Sequence, residues 1–496
     1  MRCMIIFPSW VCADGFLSGF AEFQAHYWQP TGLMYVAAAI REAGHDVKLL
    51  DGAFITHEDI LKQVREFDPH FVGVYGNTPL WFNTIKTVKS IKKVNRDIFT
   101  VVGGPYPIGA KSEVFKGLED ELDACFTGEG EIAVPNALKR LEKGESLKGV
   151  KGLIYKEKKE DGSYEYIDNG PAPIIRDLDS IPFPARDLVF PLKKYMPAAG
   201  TYKKSPVGSI ISSRGCNNRC LYCFQIHNLT EMRFRSPGNV MEEAEELVLK
   251  HGAKEIRFLD DNFVGDYKWV EEMCKCIKES KLGFVWYVSA RADGIDYPLA
   301  KKMKDAGCWA TLVGVESGVQ KNLDTLRKNT TVEQNRKAVK DLKKAGIKVY
   351  TPYIFGIPGE TFEEGLETVK FAVEVDPYYV NFHTLAPFPG SDLMDNIEEY
   401  GTLVGDQSEF NFEMAGFVPH TMTRDEVFKL REIAFRKFYR RPKFILRRIF
   451  GARTKNDFKT LYVGAKSFLN LFVKKEAFVH KGSQGYHLET KETPFI

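Results

Sequence analysis

The stretch Ser209-Ile210-Ile211-Ser212-Ser213-Arg214-Gly215-Cys216-Asn217-Asn218-Arg219-Cys220-Leu221-Tyr222-Cys223 joins a short strand pattern over 209–213, a glycine that frees the backbone to turn, and three thiols at x3 then x2 spacing. Three thiolates can hold three corners of an iron–sulfur cube. Such clusters ordinarily take four cysteines, so this set leaves one iron open to chelation by a small molecule. The thiols would sit beyond a strand's carboxyl end. Two other readings compete. Cys216, Cys220, Cys223 and His227 suit a tetrahedral zinc site, although the motif lies mid-chain in a long α/β pattern rather than in a small finger. Disulfides fit less well: nine cysteines in 496 residues are sparse and odd in number, and no apolar signal segment follows Met1, so the chain reads as cytosolic and reduced.

At 44% hydrophobic and 27% charged the composition is that of an ordinary globular protein of two to four domains. No apolar run approaches the ~20 residues of a membrane span. A net charge of +3 gives no reason to expect nucleic acid. Basic residues gather near the C-terminus, however, at Arg436, Lys437, Arg440, Arg441, Lys443, Arg447 and Arg448.

Residues 1–145 alternate apolar strands (4–7, 47–51, 71–75, 99–103, 124–127) with amphipathic helical patterns (32–43, 58–66, 81–95, 132–143). This predicts a doubly wound parallel sheet, which binds ligands at its strands' carboxyl ends. Those ends carry Tyr75-Gly76-Asn77-Thr78, Gly103-Gly104-Pro105 and Gly128-Glu129-Gly130-Glu131. Each alone reads as a glycine turn; three on one edge favour a ligand cleft. Residues 146–205 read as a linker with a hairpin turned at Asp161-Gly162, followed by the extended run Ile181-Pro182-Phe183-Pro184.

A second β/α series occupies 206–400, with strands at 209–213, 255–259, 285–289, 310–315, 349–355 and 379–385. Six βα units predict a partial parallel barrel whose active site lies at the strands' carboxyl ends. Asp260-Asp261-Asn262, Arg291 with Asp293, Glu316-Ser317 and the run Gly356 to Thr361 fall there. One acidic residue at a strand end is usually a helix cap or a solvated group. Several at one mouth, together with the thiols, point to a site. Residues 401–496 are helical in pattern, with Phe435, Phe438, Phe444, Ile445, Ile449 and Phe450 interleaved among the basic residues.

Cys216-x3-Cys220-x2-Cys223 with Tyr222 before the last cysteine resembles the radical S-adenosylmethionine superfamily. Phe258-Leu259-Asp260-Asp261-Asn262-Phe263, Gly314-Val315-Glu316-Ser317-Gly318, Gly356-Ile357-Pro358-Gly359-Glu360-Thr361 and Pro387-Phe388-Pro389-Gly390 resemble its cobalamin-binding branch. So do Pro30-Thr31-Gly32-Leu33-Met34-Tyr35, Val102-Gly103-Gly104-Pro105 and Gly128-Glu129-Gly130-Glu131. That branch includes anaerobic magnesium-protoporphyrin monoester cyclases, hopanoid-modifying enzymes and carbon or phosphorus methylases.

The resemblance implies an α/β fold: a cobalamin-binding doubly wound domain, then a partial (β/α)6 radical barrel, then a helical C-terminal region. It implies a [4Fe–4S] cluster on Cys216, Cys220 and Cys223. S-adenosylmethionine would contact Tyr222, Asp260, Asp261, Asn262, Glu316 and Ser317, with Arg291 forking onto its carboxylate. Cobalamin would lie against Asn77, Thr78, Gly103, Gly104 and Glu129. The implied chemistry is anaerobic: one electron from a low-potential donor such as flavodoxin or ferredoxin cleaves the sulfonium, and the resulting 5'-deoxyadenosyl radical attacks an unactivated carbon. The expected activity is methyl transfer to a small-molecule or lipid-like substrate; cyclisation or coupling on the same scaffold is the second reading, and an iron–sulfur redox sensor the third. Asp68-Pro69-His70-Phe71-Val72-Gly73 fits a pattern in which histidine binds cobalt, but His70 here opens a strand and reads as a decoy. Tyr106 stands where many relatives have histidine, leaving the lower face of cobalt unassigned. The basic C-terminal stretch reads either as a helix packed on the barrel or as an amphipathic helix that touches anionic lipid or an anionic substrate.

Overall fold

The computed structural model describes residues 1–9, 28–198, 200–224, 231–405, 414–452, 457–458 and 460–462. His227 lies outside them. The first sheet contains β1 (Arg2–Phe7), β2 (Asp46–Asp51), β3 (Phe71–Tyr75), β4 (Phe99–Gly103), β5 (Ala124–Phe126), β6 (Leu153–Lys158) and β7 (Tyr164–Asp168), in the order β2-β1-β3-β4-β5-β6-β7. The first five strands are parallel because amphipathic helices return the chain between them. Helices α1 (Thr31–Glu42) and α5 (Gly130–Glu142) cover one face, packing Met34, Ala38, Val134 and Leu138 on Ile5 and Val101. Helices α2 (His57–Phe67), α3 (Trp81–Val94) and α4 (Pro105–Ala110) cover the other, with Ile60, Val88 and Tyr106 against Val72 and Val102. The expected hairpin forms, but it is no free linker: β6 pairs antiparallel with β5 and extends the first sheet.

The second sheet holds β8 (Val207–Ile210), β9 (Glu255–Phe258), β10 (Val285–Ala290), β11 (Cys308–Val313), β12 (Lys348–Phe355) and β13 (Tyr379–Thr384), all parallel and in sequence order. Its six strands form an open, partial barrel. Helices α6 (Pro237–Leu249), α7 (Tyr267–Ser280), α8 (Tyr297–Asp305), α9 (Val332–Ala345) and α10 (Phe362–Val375) cover the outside around Val240, Met273, Leu299, Val339 and Val369. The strand expected over 209–213 ends at Ile210, because the Asp260 carboxylate accepts from the Ser212 and Ser213 N–H groups, both at 2.7 Å, and takes the chain off the sheet.

Helices α11 (Arg424–Tyr439) and α12 (Pro442–Gly451) close the described C-terminal region. Phe438 and Phe444 are buried in the barrel's core, while Arg447 bonds Asp376 at 2.7 Å and Arg448 donates to the Tyr378 carbonyl at 2.8 Å. These partners precede β13, so the basic helix sits at the end of the barrel opposite the strands' carboxyl ends. Among the described residues no helix is long and apolar enough to cross a membrane.

Candidate active site

The cysteine loop leaves the barrel through a two-residue strand, Ser213–Arg214, and returns through Arg233–Phe234, which pairs with it antiparallel. Gly215 has φ +90°, and a Cβ there would lie 2.5 Å from the Glu231 carbonyl oxygen, so only glycine turns the loop at this point. Leu221 is the loop's anchor. It is 1% exposed among Leu326, Ile354, Ile357, Leu385 and Leu393, its N–H donates to the Leu326 carbonyl at 2.9 Å, and its carbonyl accepts from Leu393 N at 2.9 Å. The three thiols flank this plug and sense each other's charge. Burial raises the Cys220 thiol, and the charge of Cys216 adds to the rise. Among the described residues no three His, Cys, Asp or Glu side chains converge on one point as ligands of a single ion would. A cube makes no such demand, since each thiolate binds a different iron.

Glu316 follows β11 with φ 62°, a left-handed conformation unusual for a buried side chain. Its backbone is pinned by Pro352 and Ile354 of β12, and its carboxylate accepts from Lys328 Nζ at 2.8 Å and from the Tyr222 hydroxyl. Lys328 was not foreseen. It is 6% exposed; burial works against its charge, yet Glu316 and Cys220 together hold its pKa above the ordinary lysine value. A Cβ at Gly314 would meet Glu316 Oε1 at 2.7 Å and Lys328 Nζ at 2.8 Å, which is why that strand end carries glycine. Asp261 opens to the same side, near Cys223, and accepts from the Gly215 backbone.

The remaining residues expected at S-adenosylmethionine also brace this mouth. Asp260 is spent on Ser212 and Ser213; burial pushes its carboxyl up to about 6. Asn262 Oδ1 accepts from Arg291 N at 3.1 Å. Ser317 is fully buried against Thr368 and the Val319 N–H. Arg291 does not present a free fork: Nε and Nη2 bond the two Asp293 oxygens at 3.1 and 2.9 Å, and Nη2 also holds the Lys328 carbonyl at 2.7 Å.

Glu360, buried in the turn after β12, accepts from Gly356 N at 2.8 Å, Ile357 N at 3.2 Å and Asn322 Nδ2 at 3.1 Å. Burial pushes its carboxyl from 4.5 to about 8. A carboxyl raised on folding contributes stability in full below its unfolded pKa and loses it as pH rises through the folded one. The melting temperature should therefore fall between pH 4.5 and about 8, and Glu360→Gln should flatten that slope. Parallel slopes for the two proteins would show that Glu360 is ionised throughout.

The first sheet's carboxyl edge faces this mouth. A Cβ at Gly109 of α4 would lie 2.1 Å from the Pro389 carbonyl oxygen, and one at Gly390 would lie 2.8 Å from Gly109 Cα and 3.2 Å from the Phe224 ring. Thus α4 touches the loop after β13, and that loop in turn touches the residue after Cys223. At that edge Asn77 caps the turn to Leu80 N at 2.9 Å, Thr78 is buried, and Gly104 has φ +109°. Among the described residues a Cβ at Gly103 would meet only Phe126 Cβ, at 3.9 Å. Tyr106 stacks on Trp81 with centroids 4.2 Å apart. His70 is exposed at the sheet's opposite edge, where Nδ1 accepts from Arg2 N at 3.0 Å. Glu129 meets the neck of the cysteine loop and the connector: it bonds Arg233 at 2.9 and 3.0 Å, Arg214 at 3.1 Å and Ile175 N at 3.0 Å. Burial opposes its ionisation, but these partners hold its pKa below the ordinary value.

Residues 210–372 match the Radical SAM superfamily and residues 24–138 match the B12 binding domain. An uncharacterised methyltransferase of Pyrococcus horikoshii is 34% identical over 429 residues, covering 85% of this chain and 90% of that protein. The chain belongs to the cobalamin-binding radical S-adenosylmethionine enzymes. This cobalamin-binding radical enzyme is also 28% identical, over 459 residues, to an anaerobic magnesium-protoporphyrin IX monomethyl ester cyclase of Rubrivivax gelatinosus, covering 90% of this chain and 78% of the cyclase. Its fold is that of the cobalamin-dependent radical enzyme OxsB (TM-score 0.72, 17% identity, 95% of this chain and 72% of that one). It is likewise that of the methyltransferase TsrM from Kitasatospora setae (TM-score 0.64, 20% identity, 80% and 74%). The cofactors of this family are a [4Fe–4S] cluster, S-adenosylmethionine and cobalamin. The radical enzyme's residues fit them: three thiols on a wrapped loop, a buried cation and carboxylate beside them, and a glycine-lined sheet edge facing both.

Proposed function

We propose that this enzyme transfers a methyl group to an unactivated carbon of a small-molecule or lipid-like substrate. The observation that supports this is the contact of Gly109 with Pro389, and of Gly390 with Gly109 and Phe224, which turns the corrinoid edge toward the cysteine loop. Cys216, Cys220 and Cys223 would hold the cluster, Glu316 and Lys328 the amino and carboxylate groups of S-adenosylmethionine, and the edge at Gly103 and Gly104 the corrin. When bound, these groups supply a carbon radical and a methyl donor. The chain's own residues orient them and exclude water. The electron would come from a flavodoxin- or ferredoxin-like donor. A product heavier by one methyl group, formed with 5'-deoxyadenosine, tests this reading. A product formed without an added methyl group would favour the cyclase or coupling reading, for which the Rubrivivax relative is the motive.

Gly103→Leu should fold normally, because among the described residues a Cβ there meets nothing nearer than 3.9 Å, yet take up far less hydroxocobalamin, since its side chain would fill the corrin's place. His70→Ala should leave the bound corrinoid's spectrum unchanged. A changed spectrum in His70→Ala would make His70 the cobalt ligand and refute this placement.

The C-terminal helix supports a peripheral tether rather than a substrate site. Arg436, Lys437, Arg440 and Lys443 are exposed near Leu446, Ile449 and Phe450, which are 51%, 51% and 70% exposed, at the end away from the mouth. The protein should therefore co-sediment with phosphatidylglycerol vesicles but not with phosphatidylcholine vesicles, and Phe450→Ser should weaken that binding without altering turnover of a soluble substrate. Equal sedimentation with both vesicles, or with neither, would remove the tether.

A further inference from the structure

We propose that the Gly128-Glu129-Gly130-Glu131 turn of the cobalamin-binding domain is a clamp that positions the cluster loop, with Glu129 as its positioning residue. The proposal rests on the assignment of the cluster to Cys216, Cys220 and Cys223. The loop between residues 214 and 233 is closed by a neck of two residues on each side. A ribbon that short has no stability of its own, so the contacts that brace the neck act together with the Leu221 anchor to set where the thiols stand.

Beside the Asp260 contacts with Ser212 and Ser213, a second brace comes from the other domain. Arg233, on the returning leg, gives Glu129 two bonds at 2.9 and 3.0 Å, and Arg214, two residues before Cys216 on the outgoing leg, gives the same carboxylate a third at 3.1 Å. Arg214 also reaches Glu131 at 2.6 Å, and its guanidinium lies over the Tyr35 ring of α1 at 5.4 Å. The side chains of Glu129, Glu131, Arg233 and Arg214 are 7%, 8%, 5% and 16% exposed. One carboxylate thus grips both legs of the loop in a nearly dry seam, where loss of either partner leaves an uncompensated charge. Arg233 also donates to the Ile175 carbonyl at 2.6 Å, and Ile175 N donates back to Glu129, so the connector closes the same ring. These glutamates sit on the sheet edge that faces the corrinoid. A corrinoid bound at that edge would bear on the turn that grips Arg214 and Arg233, which would tie corrinoid loading to the geometry of the cluster loop.

The test compares Glu129→Gln, Glu131→Gln and Arg233→Lys with the parent protein. Hydrogen exchange is first measured without iron, so that it reads the clamp whether or not the cluster assignment holds; iron content of the reconstituted parent tests that assignment separately. A charged hydrogen bond of this kind corresponds to roughly a ten- to hundredfold change. Exchange at residues 213–224 and 231–234 should accelerate by about that factor in Glu129→Gln, less in Glu131→Gln and least in Arg233→Lys, while β1, β3 and β4 keep the parent rates. Hydroxocobalamin should slow exchange of the neck in the parent and fail to do so in Glu129→Gln. In reconstituted enzyme the KM for S-adenosylmethionine should rise by about the same factor, with a shifted electron paramagnetic resonance signal of the reduced cluster and kcat within about twofold. Unchanged exchange of the neck in both glutamine variants would overturn the proposal. So would uniform acceleration across both domains in all three variants, which would make the seam a general stabiliser.

Discussion

Cys216→Ala, Cys220→Ala and Cys223→Ala should each abolish formation of 5'-deoxyadenosine from S-adenosylmethionine. Anaerobically reconstituted parent protein should hold about four irons and four sulfides per chain, and each variant should lose most of them, because a cube on three thiolates has no ligand to spare. The effect is expected to be total rather than graded, since the open iron exists only when the other three are held. Cys274→Ala and Cys276→Ala are the controls. Cys274 is 3% exposed in the barrel core, with its thiol pushed up to about 12 by burial, and Cys276 lies on the same helix facing outward. Both variants should retain iron and turnover. One zinc per chain with iron absent would sink the cluster assignment, as would full turnover in any one of the three alanine variants.

The architecture was legible because both series of strands are short apolar runs separated by helices with one apolar face, and that pattern is local. The strand over 71–75 and the one over 99–103 agree with β3 and β4 to the residue. The hairpin at Asp161-Gly162 was also visible, but its attachment was not: pairing of Ala124 with Tyr155 is a long-range event that no turn signal announces. The site divides along the same line. The cysteines could be read because their spacing is itself the chemistry. Asp260 could not be told from Asp261, since neighbouring residues on a strand end point opposite ways and only the fold shows which one meets Ser212 and Ser213. Glu129 read as a ligand turn because glycines flank it; that its carboxylate faces Arg214 and Arg233 depends on how two domains dock. Lys328 was missed for a simpler reason. A lysine after a short helix ordinarily reads as solvated, and the only hint was Asn329, a residue that tolerates the left-handed φ of 54° it adopts here.

Lys328→Met should lower kcat/KM for S-adenosylmethionine cleavage by about a hundredfold while the four irons remain, an effect set by one or two charged hydrogen bonds. Among the described residues Nζ makes a single hydrogen bond, to Glu316, so two of its three donors are left for a ligand at the mouth. Arg291, the cation expected for the ligand's carboxylate, has its fork on Asp293 and Lys328's own carbonyl, which makes it a support for Lys328 rather than a rival. The substitution also leaves Glu316 buried without its cation, which destabilises by about 3–5 kcal/mol when one partner of such a pair is lost. Two consequences are therefore mixed in the single variant, and the double variant separates them. Glu316→Gln with Lys328→Met removes both charges, so it should melt closer to the parent than Lys328→Met does and still fail to bind S-adenosylmethionine. Recovery of binding in the double variant would show that Lys328 acts only by neutralising Glu316, and unchanged binding in Lys328→Met alone would remove it from the site.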